Sequence, residues 1–326
     1  MNSRTRRLTM KIGAAQLRPA WLNRARTCQI VIDAIKEASE QGIELLVFSE
    51  SFLSGYPFWI CRTNGSAFDD PLQKRAYSQF LEAAVEVPGN EINLIVEASR
   101  DYGVGVYLGI NERGVREGRG SIYCTLVAIH PERGLVGIHR KLVPTFDERL
   151  CWAPGDGHGL QCHDFGEFKV GGLNCWENWM PLARFALYAQ GEDIHVSVWP
   201  GNASAIKNAG QLIATEGRVW VVSSSGLLSL TDVPEDFVFY DALKADGVDV
   251  IFTGGSCIVD PSGQVVAQAE DGKEQIISFD ADLGRVREER HNFDPTGHYS
   301  RQDVFRFSID RTRQQAIHNH DSFVKK

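Results

Sequence analysis

One cysteine of the chain, Cys175, stands in the stretch GGLNCWENWMP, between two glycines and a run of tryptophan, glutamate and asparagine. A cysteine attacks as its thiolate, and an unperturbed thiol with a pKa of about 8.5 is only slightly ionised at neutral pH. A nucleophilic cysteine therefore needs a base or a positive potential beside it. The helix predicted to start at Pro181 offers positive potential, and Gly171 and Gly172 let other backbone approach closely. The stretch predicts thiol chemistry, with ordinary buried filler as the alternative.

Three further charged residues stand near the ends of predicted strands. Glu50 ends the apolar run ELLVFSE, Lys141 lies at the end of LVGIHRKL, and Glu148 follows seven positions later. A desolvated carboxyl group can act as a general base, and an ammonium group stabilises developing negative charge. Each also has an ordinary alternative: Glu50 can be solvated and Lys141 can extend its head to solvent. Glu148 can be a surface partner of Arg149 or of the lysine.

Two other motifs contain residue types found in ligand sites. The residues Cys151, His158, Cys162 and His163 are potential zinc ligands, but their spacings match no common zinc pattern. The glycine-rich stretch GDGHG lacks the GxxxxGK[ST] pattern of a phosphate-binding loop. We therefore predict no metal and no cofactor.

The chemistry-bearing residues must be positioned by alternating strands and helices. A helix over 23–42, with apolar residues at i, i+3, i+4 and i+7, lies between KIGAAQL and ELLVFSE, two runs of strand length. A second helix over 90–103 precedes the strand VGVYLGI. The runs IYCTLVAIH and LVGIHRKL flank PERG and predict a hairpin.

The second half of the chain continues the alternation. FKVGGLNC predicts a buried strand that leads into a helix over 181–190, with Leu182, Phe185, Ala186 and Ala189 on its apolar face. Further strands are predicted for IHVSVWP and VWVVSSS, and for SCIVD and QVVAQAE around the turn PSG. The alternating pattern of DVFRFSI, after Arg301, predicts one more strand.

Composition restricts the function. The chain has 326 residues, of which 43% are hydrophobic, and a net charge of −8. This charge argues against a nucleic-acid partner, which normally meets a basic face. The start, MNSRTRRLTM, lacks the apolar segment of a secretory signal or membrane span. Seven cysteines without a CxxC pair favour free thiols in a reducing cytoplasm, so we predict a cytoplasmic protein without a membrane partner.

The sequence contains no repeat at solenoid spacing and no linker rich in proline, glycine or serine. We therefore predict a single domain over 10–304. It is flanked by a flexible N-terminal tail over 1–9 and a polar C-terminal tail over 305–326.

Four blocks of the sequence resemble the nitrilase branch of the carbon–nitrogen hydrolase superfamily. They are LLVFSESFLSGYP, HRKLVPTFDERLCWAPGDG, GGLNCWENWMPLARFALYAQGE and DPTGHYSRQDV, and they run in family order from Met10 to about Val304. The resemblance implies a Glu–Lys–Cys triad of Glu50, Lys141 and Cys175, with Glu148 as a second carboxylate near the thiol. It also implies a four-layer-forming α-β-β-α sandwich, an α/β fold with mixed sheets and the triad at strand ends.

The implied reaction is hydrolysis of an organic nitrile to the carboxylic acid and ammonia, through a thioimidate and a thioester on the cysteine. Amidases and N-carbamoyl hydrolases share the triad and remain an alternative, although CWEN after the glycines resembles nitrilases more closely. A non-catalytic scaffold and a thiol sensor are further alternatives, and the sensor needs a resolving cysteine.

The substrate and the assembly are less strongly indicated. Tyr56, Trp59 and Trp176 lie beside the catalytic blocks and can line an apolar pocket, or equally belong to the core. His195 and Trp199, expected at a strand end near the active edge, are further candidates of the same kind. The pattern does not choose between aliphatic, aryl and arylacetonitriles. The resemblance implies homodimers that can extend into larger homo-oligomers such as spirals or filaments, with the helix over 181–190 and the C-terminal tail as contacts.

Overall fold

The computed structural model describes residues 8–115, 118–201 and 203–315. The predicted N-terminal tail up to residue 7 and the end of the predicted C-terminal tail, 316–326, lie outside the described residues. The strands are β1 (Thr9–Gln16), β2 (Leu45–Phe48), β3 (Gly105–Arg113), β4 (Ile122–His130), β5 (Gly134–Arg140), β6 (His163–Phe165), β7 (Phe168–Asn174), β8 (Ile194–Trp199), β9 (Trp220–Ser225), β10 (Leu227–Ser229), β11 (Val250–Thr253), β12 (Cys257–Val259), β13 (Val265–Gln268) and β14 (Gln275–Asp282).

The α-helices alternate with these strands. They are α1 (Arg24–Glu40), α2 (Trp59–Arg62), α3 (Pro71–Ala83), α4 (Asn90–Tyr102), α5 (Pro181–Tyr188), α6 (Ala203–Gly217), α7 (Tyr240–Ala245) and α8 (Leu283–Arg290). Asn23 caps α1 by accepting a hydrogen bond from the backbone of Arg26, and Gly103 ends α4 in the left-handed conformation. The three helices predicted from the apolar spacing are therefore present, with boundaries within two residues of the prediction.

Two six-stranded sheets form the centre of the molecule. The first has the order β14-β1-β2-β3-β4-β5, and the second has the order β13-β12-β9-β8-β7-β6. Parallel pairs join β1 to β2, β2 to β3, β7 to β8 and β8 to β9, whereas the outer pairs are antiparallel. Strands such as LLVF of β2 are apolar throughout because both sheet faces are covered.

The sheets pack face to face across an apolar layer. Leu45 and Val47 of the first sheet share a buried cluster with Val196 and Val222 of the second. The hydroxyl of Tyr107 crosses this layer and donates a hydrogen bond to a backbone carbonyl of β7 at 2.8 Å. On the outer faces, α1 and α4 cover the first sheet, and α5 and α6 cover the second. The predicted α-β-β-α sandwich with mixed sheets is confirmed.

Two local predictions were wrong. The segment DVFRFSI forms no strand, because a turn after Arg301 directs the backbone N–H groups of Val304 and Phe305 to the carbonyl of Arg301. The buried side of α5 also differs from the predicted apolar face: Ala183 and Leu187 are buried, whereas Leu182 is 67% exposed. Within the described ranges, no helix combines the length and apolarity needed to cross a membrane.

Candidate active site

The four predicted catalytic residues meet where the two sheets face each other. Glu50 follows β2 and Lys141 follows β5 in the first sheet, whereas Cys175 follows β7 in the second. Glu148 lies in a 3₁₀ turn, Phe146–Leu150, directly after the lysine loop. A carboxylate oxygen of each glutamate and the thiol sulfur lie within 4.8 Å of one another. Packing of the sheets therefore brings together residues that lie up to 125 positions apart (175 − 50).

The backbone around Glu50 is held closely against the neighbouring strands. Its N–H donates a hydrogen bond to the carbonyl of Trp199, at the end of β8, at 3.3 Å. Gly109 of β3 lies under this loop, and a Cβ at that position would be 2.2 Å from the carbonyl oxygen of Ser49. Only glycine permits this approach, so β3 helps to place the carboxylate at the sheet interface.

Lys141 connects the two carboxylates. Its ammonium group is buried and donates hydrogen bonds to Oε1 of Glu50 at 2.9 Å and to Oε2 of Glu148 at 2.7 Å. The same group lies 5.5 Å from the ring centroid of Trp152. Burial disfavours the charged lysine, but the surrounding carboxylates outweigh this effect and raise its pKa well above the ordinary value. Lys141 is therefore a fixed buried cation.

Glu148 is fixed from several sides. It forms a capping box with Thr145, whose backbone N–H donates to Oε2 at 2.6 Å. The hydroxyl of Tyr56 donates to Oε1 at 2.8 Å. With the lysine, these contacts hold Glu148 in one orientation and join it to a residue predicted to bind substrate.

Cys175 begins a 3₁₀ turn, Cys175–Trp179, which we call the nucleophile turn. Its φ of 47° lies in the left-handed region, which is rare for a residue with a side chain and recurs at functional sites. The side-chain amide of Asn178 donates to the carbonyl of Cys175 at 2.9 Å and supports this conformation. The backbone N–H of Trp176 interacts with the sulfur and favours its ionised form.

The protonation states follow from burial. Burial, with the nearby Glu148 charge, raises the pKa of Glu50 to about 7 despite the opposing effect of Lys141. Burial and the Glu50 carboxylate also raise the pKa of the Cys175 thiol well above its usual value, against the influence of Lys141. The resting site therefore holds a protonated thiol beside a carboxyl group that titrates near neutrality, an arrangement suited to proton transfer.

The two oxygens of Glu50 have different surroundings. Oε1 accepts hydrogen bonds from Lys141 and from the thiol of Cys124, at 3.4 Å. Oε2 is buried and has no hydrogen-bond partner among the described residues. One oxygen is thus held by donors while the other remains available as a proton acceptor. Cys124 could not be identified from sequence, because it lies within the predicted strand IYCTLVAIH without a chemical motif around it.

The residues predicted to bind substrate occupy different environments. Tyr56 contacts Glu148 and packs edge-on against Trp152, with ring centroids 5.5 Å apart. Trp59 is buried in an aromatic cluster with Trp21 and Phe80. This is a core position, which was the alternative to a pocket position in the sequence analysis. Their part in substrate binding stays a prediction.

Of the other three predicted binding residues, Trp176 lies in the nucleophile turn, whereas His195 and Trp199 lie on β8. Trp176 is 54% exposed, whereas Trp199 is buried at the end of β8 and shares a cluster with Cys175. His195 was expected at the same strand end, which is wrong, because it is the second residue of β8. Its ring bridges Glu192, at 3.0 Å, and the side-chain oxygen of Asn178, at 2.8 Å. His195 therefore holds Asn178 of the nucleophile turn in place.

Comparisons with known proteins agree with this geometry. The family model of the carbon-nitrogen hydrolases matches residues 11–291. The chain is 34% identical to a protein named Nitrilase 2 from an unknown prokaryotic organism, over 94% of both chains. It is 36% identical to an arylacetonitrilase of Trametes versicolor, over 82% of this chain and 86% of the relative.

Solved structures show the same fold. The carbon-nitrogen hydrolase of Helicobacter pylori G27 superposes with a TM-score of 0.69 at 18% identity, over 91% of this chain and 97% of that chain. The matched family region contains both sheets, except for the first two residues of β1, and the residues 50, 141, 148 and 175. The chain therefore belongs to the carbon-nitrogen hydrolase family, in its nitrilase branch.

Proposed function

We propose that the protein hydrolyses an organic nitrile to the corresponding carboxylic acid and ammonia. The observation that carries this proposal is the buried ammonium of Lys141 between Glu50 and Glu148, beside the thiol of Cys175. The named nitrilases at 34–36% identity support the nitrile as substrate class. The proposal includes the catalytic roles of these residues, the contacts of the substrate with the site and the assembly of the protein, each of which is argued below.

In the first step, Cys175 adds to the nitrile carbon. Glu50 accepts the thiol proton at its free oxygen and delivers it to the substrate nitrogen, which leaves a thioimidate on the sulfur. Negative charge grows on that nitrogen as the C≡N bond loses one π bond. Lys141 and the backbone N–H of Trp176 stabilise this charge because both are in place before the reaction.

Two waters complete the reaction. The first, deprotonated by Glu50, adds to the thioimidate carbon and gives a tetrahedral intermediate. Glu50 returns this proton to the nitrogen, so the carbon then carries one hydroxyl and one amino group. The C–N bond breaks as Glu50 transfers the hydroxyl proton to the nitrogen, which releases ammonia and leaves a thioester. The second water adds to the thioester carbon, the C–S bond breaks, and the sulfur regains its proton as the acid leaves. Glu148 orients Lys141 throughout and, with Tyr56, forms one wall of the site.

The test is ammonia release from aliphatic, aryl and arylacetonitriles, with the matching amides and an N-carbamoyl amino acid in parallel. Cys175→Ala serves as the blank, and Cys61→Ala, which removes an exposed thiol, is the matched control. We expect nitrile turnover that Cys175→Ala abolishes and Cys61→Ala retains. Turnover of amides or carbamoyl substrates alone would assign the protein to the alternative branch, and inactivity on all substrates would favour the scaffold.

We also propose that the protein is a homodimer or larger homo-oligomer. Phe185, Tyr299, Phe305 and Phe307 line a groove of about 350 Å³ beside α5, and Phe305 is 75% exposed. Leu182 exposes its apolar side chain on the same helix. These surfaces suit a second copy of the chain. Light scattering tests this: Leu182→Glu should lower the mass, and Phe68→Glu, an exposed apolar position outside the groove, should not.

The remaining expectations concern organisation and location. We propose a single hydrolase domain over 10–304, followed by a tail over 305–326. Arg313 of this tail donates a hydrogen bond to the carboxylate of Asp156 and so attaches the tail to the loop before β6. Seven free thiols fit a reducing compartment, so we propose a cytoplasmic location. Limited proteolysis with mass analysis tests the domain boundary, and fractionation of the native cell tests the location.

A further inference from the structure

One carboxylate on the nucleophile turn has no role in the steps above. Glu177 is buried, and its two oxygens together accept three hydrogen bonds. Oε1 accepts from the backbone N–H of Leu142 at 2.6 Å. Oε2 accepts from the backbone N–H of Asn174 at 3.0 Å and faces Nε2 of His139 at 2.9 Å. The side chain is therefore held by donors on both sides.

The two backbone donors are the immediate neighbours of two catalytic residues. Leu142 follows Lys141, which continues β5 of the first sheet, and Asn174 precedes Cys175, at the end of β7 of the second sheet. Glu177 thus spans the gap between the sheets at the point where the cation and the nucleophile leave them. Its carboxylate therefore connects the segment that carries Lys141 directly to the segment that carries Cys175.

The donor set requires an ionised carboxylate. A carboxylate offers acceptors on both oxygens, whereas an amide at this position would present an NH₂ group to one of the backbone N–H donors. Burial favours the neutral acid, but His139 and the two backbone N–H groups outweigh burial and lower the pKa of Glu177. Both the charge of Glu177 and the length of its side chain are therefore matched to the three donors.

We propose that Glu177 is a positioning residue that sets the location of Cys175 relative to Lys141 for the proposed reaction. This inference rests on the proposed function of that site. An ordinary turn cap needs only the bond to Asn174, which lies within the nucleophile turn's own capping box. The bond to Leu142 leaves the turn and reaches the other sheet, so it has no capping purpose.

This difference allows a discriminating experiment. Glu177→Asp keeps the charge and can still cap Asn174, but it is one methylene too short to reach Leu142 as well. Glu177→Gln keeps the length and loses the charge. Asp260→Asn is the matched control, because Asp260 is a buried carboxylate that accepts two backbone N–H bonds in the turn between β12 and β13. His139→Gln is a further variant: it removes the His139 charge that helps to keep the pKa of Glu177 low, so the donor set loses the ionised carboxylate that it requires.

The readout is the rate at which iodoacetamide alkylates Cys175 in the folded protein, followed by peptide mass spectrometry. Cys61, an exposed thiol on α2, reports general thiol reactivity in the same sample. We expect Glu177→Asp and Glu177→Gln to slow alkylation of Cys175 by about 10²-fold, since misplacement of a reacting group by about 1 Å has effects of this size. Cys61 and the Asp260→Asn protein should react at wild-type rates.

Thermal unfolding of each variant separates positioning from stability. Near wild-type stability of Glu177→Asp with slow alkylation of Cys175 supports positioning. An unchanged or faster reaction of Cys175 in folded Glu177→Asp would overturn the proposal and leave Glu177 as a cap. If both Glu177 variants fail to fold, His139→Gln decides: we expect slower alkylation of Cys175, and a wild-type rate would overturn the proposal. Alkylation requires no nitrile, so failure of the proposed function appears separately, as absent turnover by wild-type protein.

Discussion

The thiol of Cys124 donates a hydrogen bond to Oε1 of Glu50 across 3.4 Å, inside a site that already contains the thiol of Cys175, the proposed nucleophile. This bond favours the ionised carboxylate and lowers the pKa of Glu50, in opposition to burial. Cys124→Ala should therefore move the acid limb of kcat/KM to higher pH, by less than about one pH unit for a bond worth about 1 kcal/mol.

The pH profile of initial rates measures this shift. Cys124→Ser keeps a donor and should remain close to wild type, and Cys257→Ala removes a buried thiol elsewhere as a control for packing. An identical acid limb in Cys124→Ala and wild type would contradict the assignment.

The wild-type enzyme should itself lose activity in mildly acidic solution. Glu50 must be ionised to accept the thiol proton, and its pKa is about 7. As the pH falls through this value the base becomes protonated, so kcat/KM should fall about tenfold for each further pH unit. Initial rates and circular dichroism across the same pH range separate this effect from unfolding. An acid limb near pH 4.5, the ordinary value for glutamate, would show that burial does not control the base.

Removal of one hydroxyl should weaken the site without changing the fold. Tyr56→Phe deletes the hydrogen bond to Oε1 of Glu148 and leaves the ring packing on Trp152. A bond to a charged group contributes about 1.5–3 kcal/mol, so kcat/KM should fall roughly 10- to 100-fold. Tyr77→Phe, which removes a hydroxyl bonded to the carbonyl of Gly120, is the control. Equal activity of both variants would show that Glu148 does not need Tyr56.

Two of the predicted binding tryptophans should behave in opposite ways. Trp59 is buried among aromatic rings, so Trp59→Ala should lower the free energy of unfolding by about 3–5 kcal/mol. Trp176 is half exposed, so Trp176→Ala should lower it by less than about 1 kcal/mol while changing the relative KM values of small and large nitriles. Urea denaturation and a nitrile panel measure both quantities. A stable Trp59→Ala protein with altered substrate choice would instead place Trp59 in the pocket.

Local sequence patterns predicted the central elements because their apolar spacing is dictated by burial. The strand around Leu45 is apolar on both faces, and such runs are readable one segment at a time. The prediction of the buried face of α5 was wrong, because the burial of Leu187 and the exposure of Leu182 depend on which neighbouring element covers the helix. Likewise, the polar and apolar residues of DVFRFSI alternate as in a strand, but among the described residues no neighbouring strand pairs with this segment.

The catalytic residues came from the family resemblance, since nothing local joins position 50 to position 175. The residues that support them were not predictable in this way. Cys124 and His195 act on Glu50 and on the nucleophile turn through contacts between distant segments, and neither lies in a pattern with chemical meaning of its own. Glu177 belongs to the CWEN motif, but its hydrogen bond with the backbone of Leu142 forms only when the two sheets pack together.

The pairing of β1 with β14 has a consequence for the chain as it is made on the ribosome. The register joins Thr9 to Asp282, so β1 is synthesised 273 positions (282 − 9) before its antiparallel neighbour. Its other neighbour, β2, comes early and covers only one edge. An open apolar strand edge can pair with another nascent chain. Closure of the first sheet on this side therefore waits for β14, and until then the edge of β1 is open to pairing with another chain.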